Sequence, residues 1–424
     1  MSVNGYMRVG SASAYNYTLQ NLQNQQVSLS NLQNQLSSGK RINNPSDDPS
    51  GAAAAERALT RLGRITADQN ALNSEQDSMT NAEGTLGSIT KALQSIRTLV
   101  VNAGDTAQTS ADRQTIAAQI ASLSSQVLAL SNTKDSNGQP LFAGLGSALT
   151  PIVGPNAPNG TYTYNGLGGV ATSTTTDIPG KLDGSAAFMN QPATDGAYNV
   201  AVSNATTGPI PTSRTLNTSG VTLTNSTLVN GSAYTVSVSG VDTTTVPGTT
   251  TVTYDITENP NVGGPYTGLT ASYPTAQTGN FTITAMPGLS LNVTGTPAVG
   301  DTLTVTPSNS VFSTLDTAVK DIGGAANQNA ASQAVGQALT NIDIALAKVS
   351  AVRGEAGTLL NRAQVISSAN DNRTIQQQTD LSNAQDVNMV QTISAFQSQQ
   401  TSYSAALQSY AQIQKLSLFN FING

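Results

Sequence analysis

The sequence predicts an α+β multidomain chain: a long antiparallel α-helical bundle or coiled coil built from both chain ends, with an inserted all-β domain. Two distributions predict it. Of 17 prolines, 14 fall between Pro151 and Pro307 and none follows, and 20 of the 37 glycines lie in the same 151–310 window. Outside that window apolar residues recur every seven positions, the spacing of a helix packed along another helix.

The first helical stretch carries Tyr15, Leu22, Leu29 and Leu36, with Leu19 and Leu32 alongside. A longer stripe runs through Ala58, Ile65, Leu72, Met79, Leu86, Leu93 and Val100, with Ala82, Ile89, Ile96 and Ala103 as its companion seam. A third, shorter stripe is Ile116, Ile120, Leu123, Val127 and Leu130. In the last arm Met389, Phe396, Tyr403 and Tyr410 repeat the sevenfold step beside Ile393 and Leu407. Any one stripe fits an ordinary intramolecular bundle. The outermost helices point further.

No charged residue occurs for 31 positions between Arg8 and Lys40, or for 28 between Asp386 and Lys415. Within residues 16–35, 11 of 20 side chains are Asn or Gln. A solvated helix carries Lys and Glu on its outer face. Amides and hydroxyls can instead be buried once they find hydrogen-bond partners, without the larger cost of burying charge. A 31-residue helix would be about 46 Å long. Both ends therefore read as helices buried among copies of the chain; flexible, amide-rich tails are the other reading, and the two agree if the ends are disordered in the monomer and fold only on assembly. The candidate assembly interface is Tyr15, Leu22, Leu29 and Leu36 with Met389, Phe396, Tyr403, Leu407 and Tyr410.

Between the first two helices lies a turn. Gly39 suits a helix C-terminus, and Asp48 before Pro49 suits an N-cap and first helical position. Pro45, Asp47 and Asp48 complete the predicted inter-domain turn, in which adjacent acids read as capping groups rather than as a metal or acid–base pair. The insert alternates large with small, or apolar with hydroxyl, residues at 161–164, 234–238, 251–254, 281–284 and 303–306, separated by Gly, Pro and Asn. It reads as a sandwich or barrel with a thin core of Val, Ile, Leu and Thr. The predicted domains are 1–45 with 380–424 as terminal coiled-coil helices, disordered in the monomer; 46–150 with 311–379 as a helical rod; and 151–310 as a β-rich outer domain.

Composition narrows the function. The 424 residues include no Cys, His or Trp, and only 10% are charged. Zinc fingers, Ser-His-Asp triads and thiol nucleophiles are thereby excluded. The net charge of −6 argues against a general nucleic-acid binder. It sits mostly in the insert, which has seven acidic and two basic residues. No apolar run approaches 18 residues, and Met1–Gly10 has no apolar core of a cleaved secretory signal. Gly144-Leu-Gly146 and Gly166-Leu-Gly168-Gly169 lack the dinucleotide fingerprint and read as turns. No catalytic, cofactor or metal site is expected.

The segment LSSGKRINNPSDDPSG at 36–51 resembles the junction after the first helix in bacterial flagellins and their relatives. Asn81–Leu86, Leu93–Leu99 and Ser110–Gln114 with Ile116 and Ile120 are similar to the family's second and third helices, and Tyr403–Ile413 with Leu416–Phe419 to its last. Within the family, Pro45-Ser-Asp-Asp-Pro49, Asn137-Gly-Gln-Pro-Leu-Phe-Ala-Gly144 and the ending Leu416–Ile422 resemble the hook–filament junction type rather than the filament subunit. Such proteins usually begin at a Met-Arg pair, found here as Met7-Arg8, which makes Met7 a candidate start.

The resemblance implies a structural axial protein, not an enzyme and without cofactors, exported through the flagellar type III apparatus to the extracellular flagellum. It would form a ring of copies between hook-associated protein 1 and flagellin, and a cytoplasmic export chaperone would bind its C-terminal helix. The alternatives are a filament flagellin, an adhesin-like surface protein using the β insert, or an enzyme housed in that insert.

Overall fold

A computed structural model describes residues 11–156, 160–171, 177–203, 216–260, 266–276 and 279–422; side chains are described within 16–412. The candidate start at Met7, the side chain of Tyr15 and those of 416–422 lie outside the described residues. In chain order the elements are α1 (Ser11–Ser38), α2 (Pro49–Ala103) and α3 (Ser110–Ser131), then the hairpin β1 (Ile152–Asn156) and β2 (Thr161–Tyr164). Two short helices follow, α4 (Gly184–Phe188) and α5 (Pro192–Asp195). Next come β3 (Tyr198–Ser203), β4 (Leu216–Thr218), β5 (Thr222–Leu223), β6 (Ala233–Asp242), β7 (Thr249–Asn259) and β8 (Tyr266–Pro274). The chain ends with β9 (Asn280–Ile283), β10 (Leu289–Gly295), β11 (Thr302–Pro307), α6 (Val311–Gly323), α7 (Gln328–Gln385) and α8 (Met389–Ile422). They form two compact units, one of residues 1–70 with 367–424 and one of residues 71–366.

In the 71–366 unit the sevenfold stripe becomes a helical core. Leu72, Met79, Leu86, Leu93 and Val100 are buried together with Ala82, Ile89, Ile96 and Ala103, and so are Ile342, Val349 and Ala356 of α7. Ion pairs fix α2 and α7 as antiparallel: Arg97 meets Asp343 at 2.8 Å and Arg353 meets Glu83 at 2.7 Å. These pairs are solvent-exposed, so burial of the seam dominates the energetics. Ile120 and Val127 of α3 are buried in the same core, with Ile116, Leu123 and Leu130 packed around them. Thr109 begins α3 with a capping box, its hydroxyl accepting from Asp112 N and the Asp112 carboxylate accepting from Thr109 N.

The β insert has a second core. Its five-stranded antiparallel sheet runs β3-β11-β6-β7-β8, and a smaller sheet has the path β4-β10-β5 with β9 paired to β10. Alternation sets the faces. On β6, Tyr234, Val236 and Val238 turn inward; on β7, Val252, Tyr254 and Ile256 do so, while Thr235, Ser237, Thr251 and Thr253 turn outward. The start of the insert, from the hairpin through α4, behaves differently from the strands that follow, Ile178 and Leu182 included. Ile152, Tyr162 and Phe188 join the helical core, not the sheet core. The reason is aromatic packing: Phe312 of α6 lies 5.2 Å from the Tyr162 ring and 6.0 Å from Phe188. Tyr162 also donates its hydroxyl proton to Asp316 Oδ2 at 2.7 Å.

A row of amides on α7 closes one edge of the larger sheet. Gln333, Gln337 and Asn341, one helical turn apart, are all buried. Val200 N donates to Gln337 Oε1 (2.8 Å), Gln333 Nε2 donates to Val200 O (3.2 Å), and Asn341 Nδ2 donates to Tyr198 O (3.2 Å). The helix thus serves β3 where a further strand would otherwise pair. Lys348 adds a charged tie beside this row, its Nζ reaching Asp195 Oδ2 at 2.6 Å.

Gln337→Ala leaves the buried Val200 N–H without its acceptor. Chemical denaturation should show a loss of roughly 1–3 kcal/mol. An unchanged midpoint would mean that the amide row carries no stability.

Candidate assembly surface

The unit of residues 1–70 with 367–424 holds the predicted interface residues. α1 packs along α8, and the positions withdrawn from solvent follow a heptad. On α1, Leu22 is buried, while Thr18, Gln25, Leu29, Leu32 and Leu36 are half-buried. On α8 the corresponding set is Thr392, Phe396, Gln399, Tyr403, Ala406 and Tyr410. Leu22, Leu29 and Leu36 therefore share one face of α1, and Phe396, Tyr403 and Tyr410 one face of α8. Met389 and Leu407 stand apart, 46% and 43% exposed.

The other faces of these helices are the unusual part. Tyr17, Val27 and Val390 are 70%, 59% and 82% exposed, and Leu19 and Ile393 are also exposed. A shallow groove of about 550 Å³ follows the start of α8, lined by Val390, Gln391, Ser394 and Ala395. No charged side chain stands among these residues, so nothing on this surface opposes burial against a like surface. The missing charge was the sequence signal for it; the individual outward residues Tyr17, Val27 and Val390 fell outside the heptad and went unmarked.

The turn at 39–49 ties the start of the pair together. Gly39 has φ +71°, a left-handed conformation that glycine adopts without the backbone strain a side chain would add, and it ends α1. Its carbonyl accepts from Val387 N (3.1 Å), and Arg41 N donates to Gln385 O (2.7 Å), so the residue after α1 pairs with the link between α7 and α8. Arg41 adds a hydrogen bond to Ala384 O (2.9 Å) and an ion pair to Asp48 (3.2 Å). Asp47 accepts from the N–H groups of Asn43 and Asn44, closing the loop before Pro45 and Pro49. Asp48 Oδ1 accepts from Ser50 N, Ser50 Oγ and Gly51 N, which caps α2 at Pro49. The Gly51 amide and the Ser50 hydroxyl, followed by the Arg41 guanidinium, hold the Asp48 carboxyl below the usual carboxylate range. The turn lies wholly within this unit.

Among the described residues no group of three Asp or Glu could hold a metal, and no helix is long and apolar enough to cross a membrane. The amide row of α7 lies outside every apolar stripe of the sequence; its signal is the spacing Gln333-x₃-Gln337-x₃-Asn341, a helical face of uncharged polar residues.

Residues 9–147 match the bacterial flagellin N-terminal helical region. The flagellar hook-associated protein 3 of Salmonella typhimurium is 29% identical over 154 residues, covering 34% of this chain and 46% of that protein. Flagellin of Bacillus subtilis is 35% identical over 144 residues, covering 32% of this chain and 46% of that protein. The chain thus spans about half the length of these curated relatives. Among solved structures, hook-associated protein 3 of Legionella pneumophila has a TM-score of 0.60 at 24% identity, covering 77% of this chain and 98% of that one. FlgL of Xanthomonas campestris has a TM-score of 0.58 at 22% identity, covering 77% and 99%. These two establish likeness of fold.

Asp48 is depressed in the folded chain, so its contribution is present above its unfolded pKa and is lost as pH falls through the lower folded value. Asp48→Ala should lower the melting temperature at neutral pH and narrow the gap between neutral and acid melting temperatures. A variant with the wild-type pH profile would show that the cap contributes nothing.

Proposed function

We propose that this chain, whose residues 9–147 match the bacterial flagellin N-terminal helical region and which is similar to hook-associated protein 3 and to flagellin over about a third of its length, is a structural axial protein of the flagellum. In this reading it forms the junction ring between hook-associated protein 1 and the flagellin filament. The observation that carries it is the α1–α8 pair, in which α1 and residues 389–414 of α8 carry no charge, share one seam and leave Tyr17, Val27 and Val390 uncovered. Neighbouring copies would cover that surface, as helices bury their apolar faces in a packed tube. The turn Pro45-Ser-Asp-Asp-Pro49, the loop at 137–144 and the ending Leu416–Ile422, which resemble the junction type, favour the junction over the filament.

The terminal segments 1–45 and 380–424 order fully only on assembly, the helices of 46–150 and 311–379 form the rod wall, and the acidic insert of 151–310 faces outward. The assembly interface is Tyr15, Leu22, Leu29 and Leu36 with Met389, Phe396, Tyr403, Leu407 and Tyr410. The partners are further copies, hook-associated protein 1 and flagellin, with a cytoplasmic export chaperone before passage through the type III apparatus. The chain performs no catalysis.

The labelled protein should lie at the hook–filament boundary of intact flagella, and Leu29→Asp or Phe396→Asp should abolish that position while leaving the insert folded. Label spread along the filament would favour a filament flagellin instead. Normal junctions in the Phe396→Asp variant would remove that residue from the seam.

A further inference from the structure

One side chain in the loop before β6 sits among contacts that polarise it as well as hold it. Asn-Gly pairs occur at 4–5, 137–138, 159–160, 165–166, 230–231 and 423–424. Glycine leaves the backbone nitrogen after an asparagine unshielded, so at such pairs the chain can attack its own side-chain amide. Among the described residues, Asn230 is the one asparagine of these pairs whose amide is engaged at both its oxygen and its nitrogen.

Asn230 is exposed, while the groups that grip its amide are buried. Tyr234 donates its hydroxyl proton to Asn230 Oδ1 at 2.8 Å, Ser232 N donates to the same oxygen at 3.1 Å, and Asn230 Nδ2 donates to Glu258 Oε1. Tyr234 and Glu258 are cross-strand partners on β6 and β7, at 0% and 2% exposure. The amide fits only this way round, because a backbone N–H donates and a carboxylate accepts. Burial, and then the charge of Glu258, raise the Tyr234 hydroxyl above its ordinary value, so it stays protonated as a donor. The bond from Ser232 N closes an Asx turn, which folds the side chain back beside its own backbone. The next nitrogen belongs to Gly231, at φ +76°, and among the described residues it donates no hydrogen bond. At the other extreme, Gly138 N after Asn137 is engaged with Asp135 O at 3.0 Å.

We propose that Asn230-Gly231 is a self-deamidation site, with Tyr234 and Glu258 as its catalytic residues. Gly231 N attacks Asn230 Cγ and a C–N bond forms. The negative charge that collects on Oδ1 falls between the Tyr234 hydroxyl and the Ser232 N–H, which act as an oxyanion hole. The Cγ–Nδ2 bond then breaks: the proton given up by Gly231 N passes through the Glu258 carboxylate to Nδ2, which leaves as ammonia. Water reaches the exposed cyclic imide and opens it to aspartate or isoaspartate. Each event consumes a water and releases an ammonia, with no oxidant or reductant. The new carboxylate faces Glu258 where an amide donor stood, so the acidic insert gains a negative charge with age, next to a like charge. The site lies in the insert and is independent of the assembly reading.

Peptide mapping by mass spectrometry of the full-length chain, aged at neutral pH either folded or in denaturing urea, follows every Asn-Gly pair together. Asn230 should deamidate roughly tenfold faster in the folded chain than in urea, because urea removes both oxyanion donors. Asn137 and Asn165 should gain nothing from folding. Tyr234→Phe and Glu258→Gln, each with its sheet intact by circular dichroism, should return Asn230 to about its rate in urea. The comparison of folded with unfolded wild type needs neither variant to fold. A folded-chain rate at Asn230 no higher than the urea rate would overturn the proposal. So would equal acceleration at Asn137 and Asn165, or a folded Tyr234→Phe chain that keeps the wild-type rate.

Discussion

Uncharged polar side chains that accept burial are the constraint on which the structure depends. The row Gln333, Gln337 and Asn341 places three amides against the backbone of β3, where each finds a donor or acceptor. Charged residues at those positions would have to be desolvated without partners, at a cost of several kcal/mol per ion. Amides pay far less once hydrogen-bonded. The insert is thereby fixed to the helical rod by its sheet edge, and the amide row covers the unpaired side of β3 that would otherwise recruit a foreign strand.

The same constraint governs the terminal helices, with the opposite outcome inside a single chain. α1 and α8 hold Leu22, Leu29, Leu36, Phe396, Tyr403 and Tyr410 on the seam, yet their remaining surface keeps amides, hydroxyls and large apolar side chains in water. One seam of a two-helix pair is little burial for elements of this length, because helical stability in proteins comes mostly from tertiary packing. Such helices are suited to gain most of their burial from neighbours. The turn at 39–49, closed by the Arg41, Asp47 and Asp48 contacts, keeps their shared end in register while the rest waits for partners.

Much of this was legible in the sequence, for physical reasons that differ between regions. The α2 stripe was visible because seven-residue periodicity and burial coincide from Leu72 to Ala103. The strand segments 161–164, 234–238, 251–254, 281–284 and 303–306 were visible because alternation maps directly onto the two faces of a sheet. β3, β8 and β10 were not marked, since Gly, Pro and Asn surround them and their pairing comes from distant segments. Nor does periodicity reveal that Ile152, Tyr162 and Phe188 join the helical core; that depends on where Phe312 stands in space. The heptad spacing marks Phe396, Tyr403 and Tyr410 on the seam of the α1–α8 pair, while Met389 and Leu407, also assigned to the assembly interface, stand exposed outside that seam. The absence of charge, not the apolar pattern, marked the outer faces.

The central claim is that the terminal helices depend on neighbouring copies for most of their burial. Amide hydrogen exchange on the dilute chain and on assembled flagella tests it directly. In the dilute chain residues 11–38 and 389–422 should exchange far faster than 72–103 and 328–363, and they should become protected on assembly. Equal protection of the terminal and central helices in the dilute chain would contradict the account.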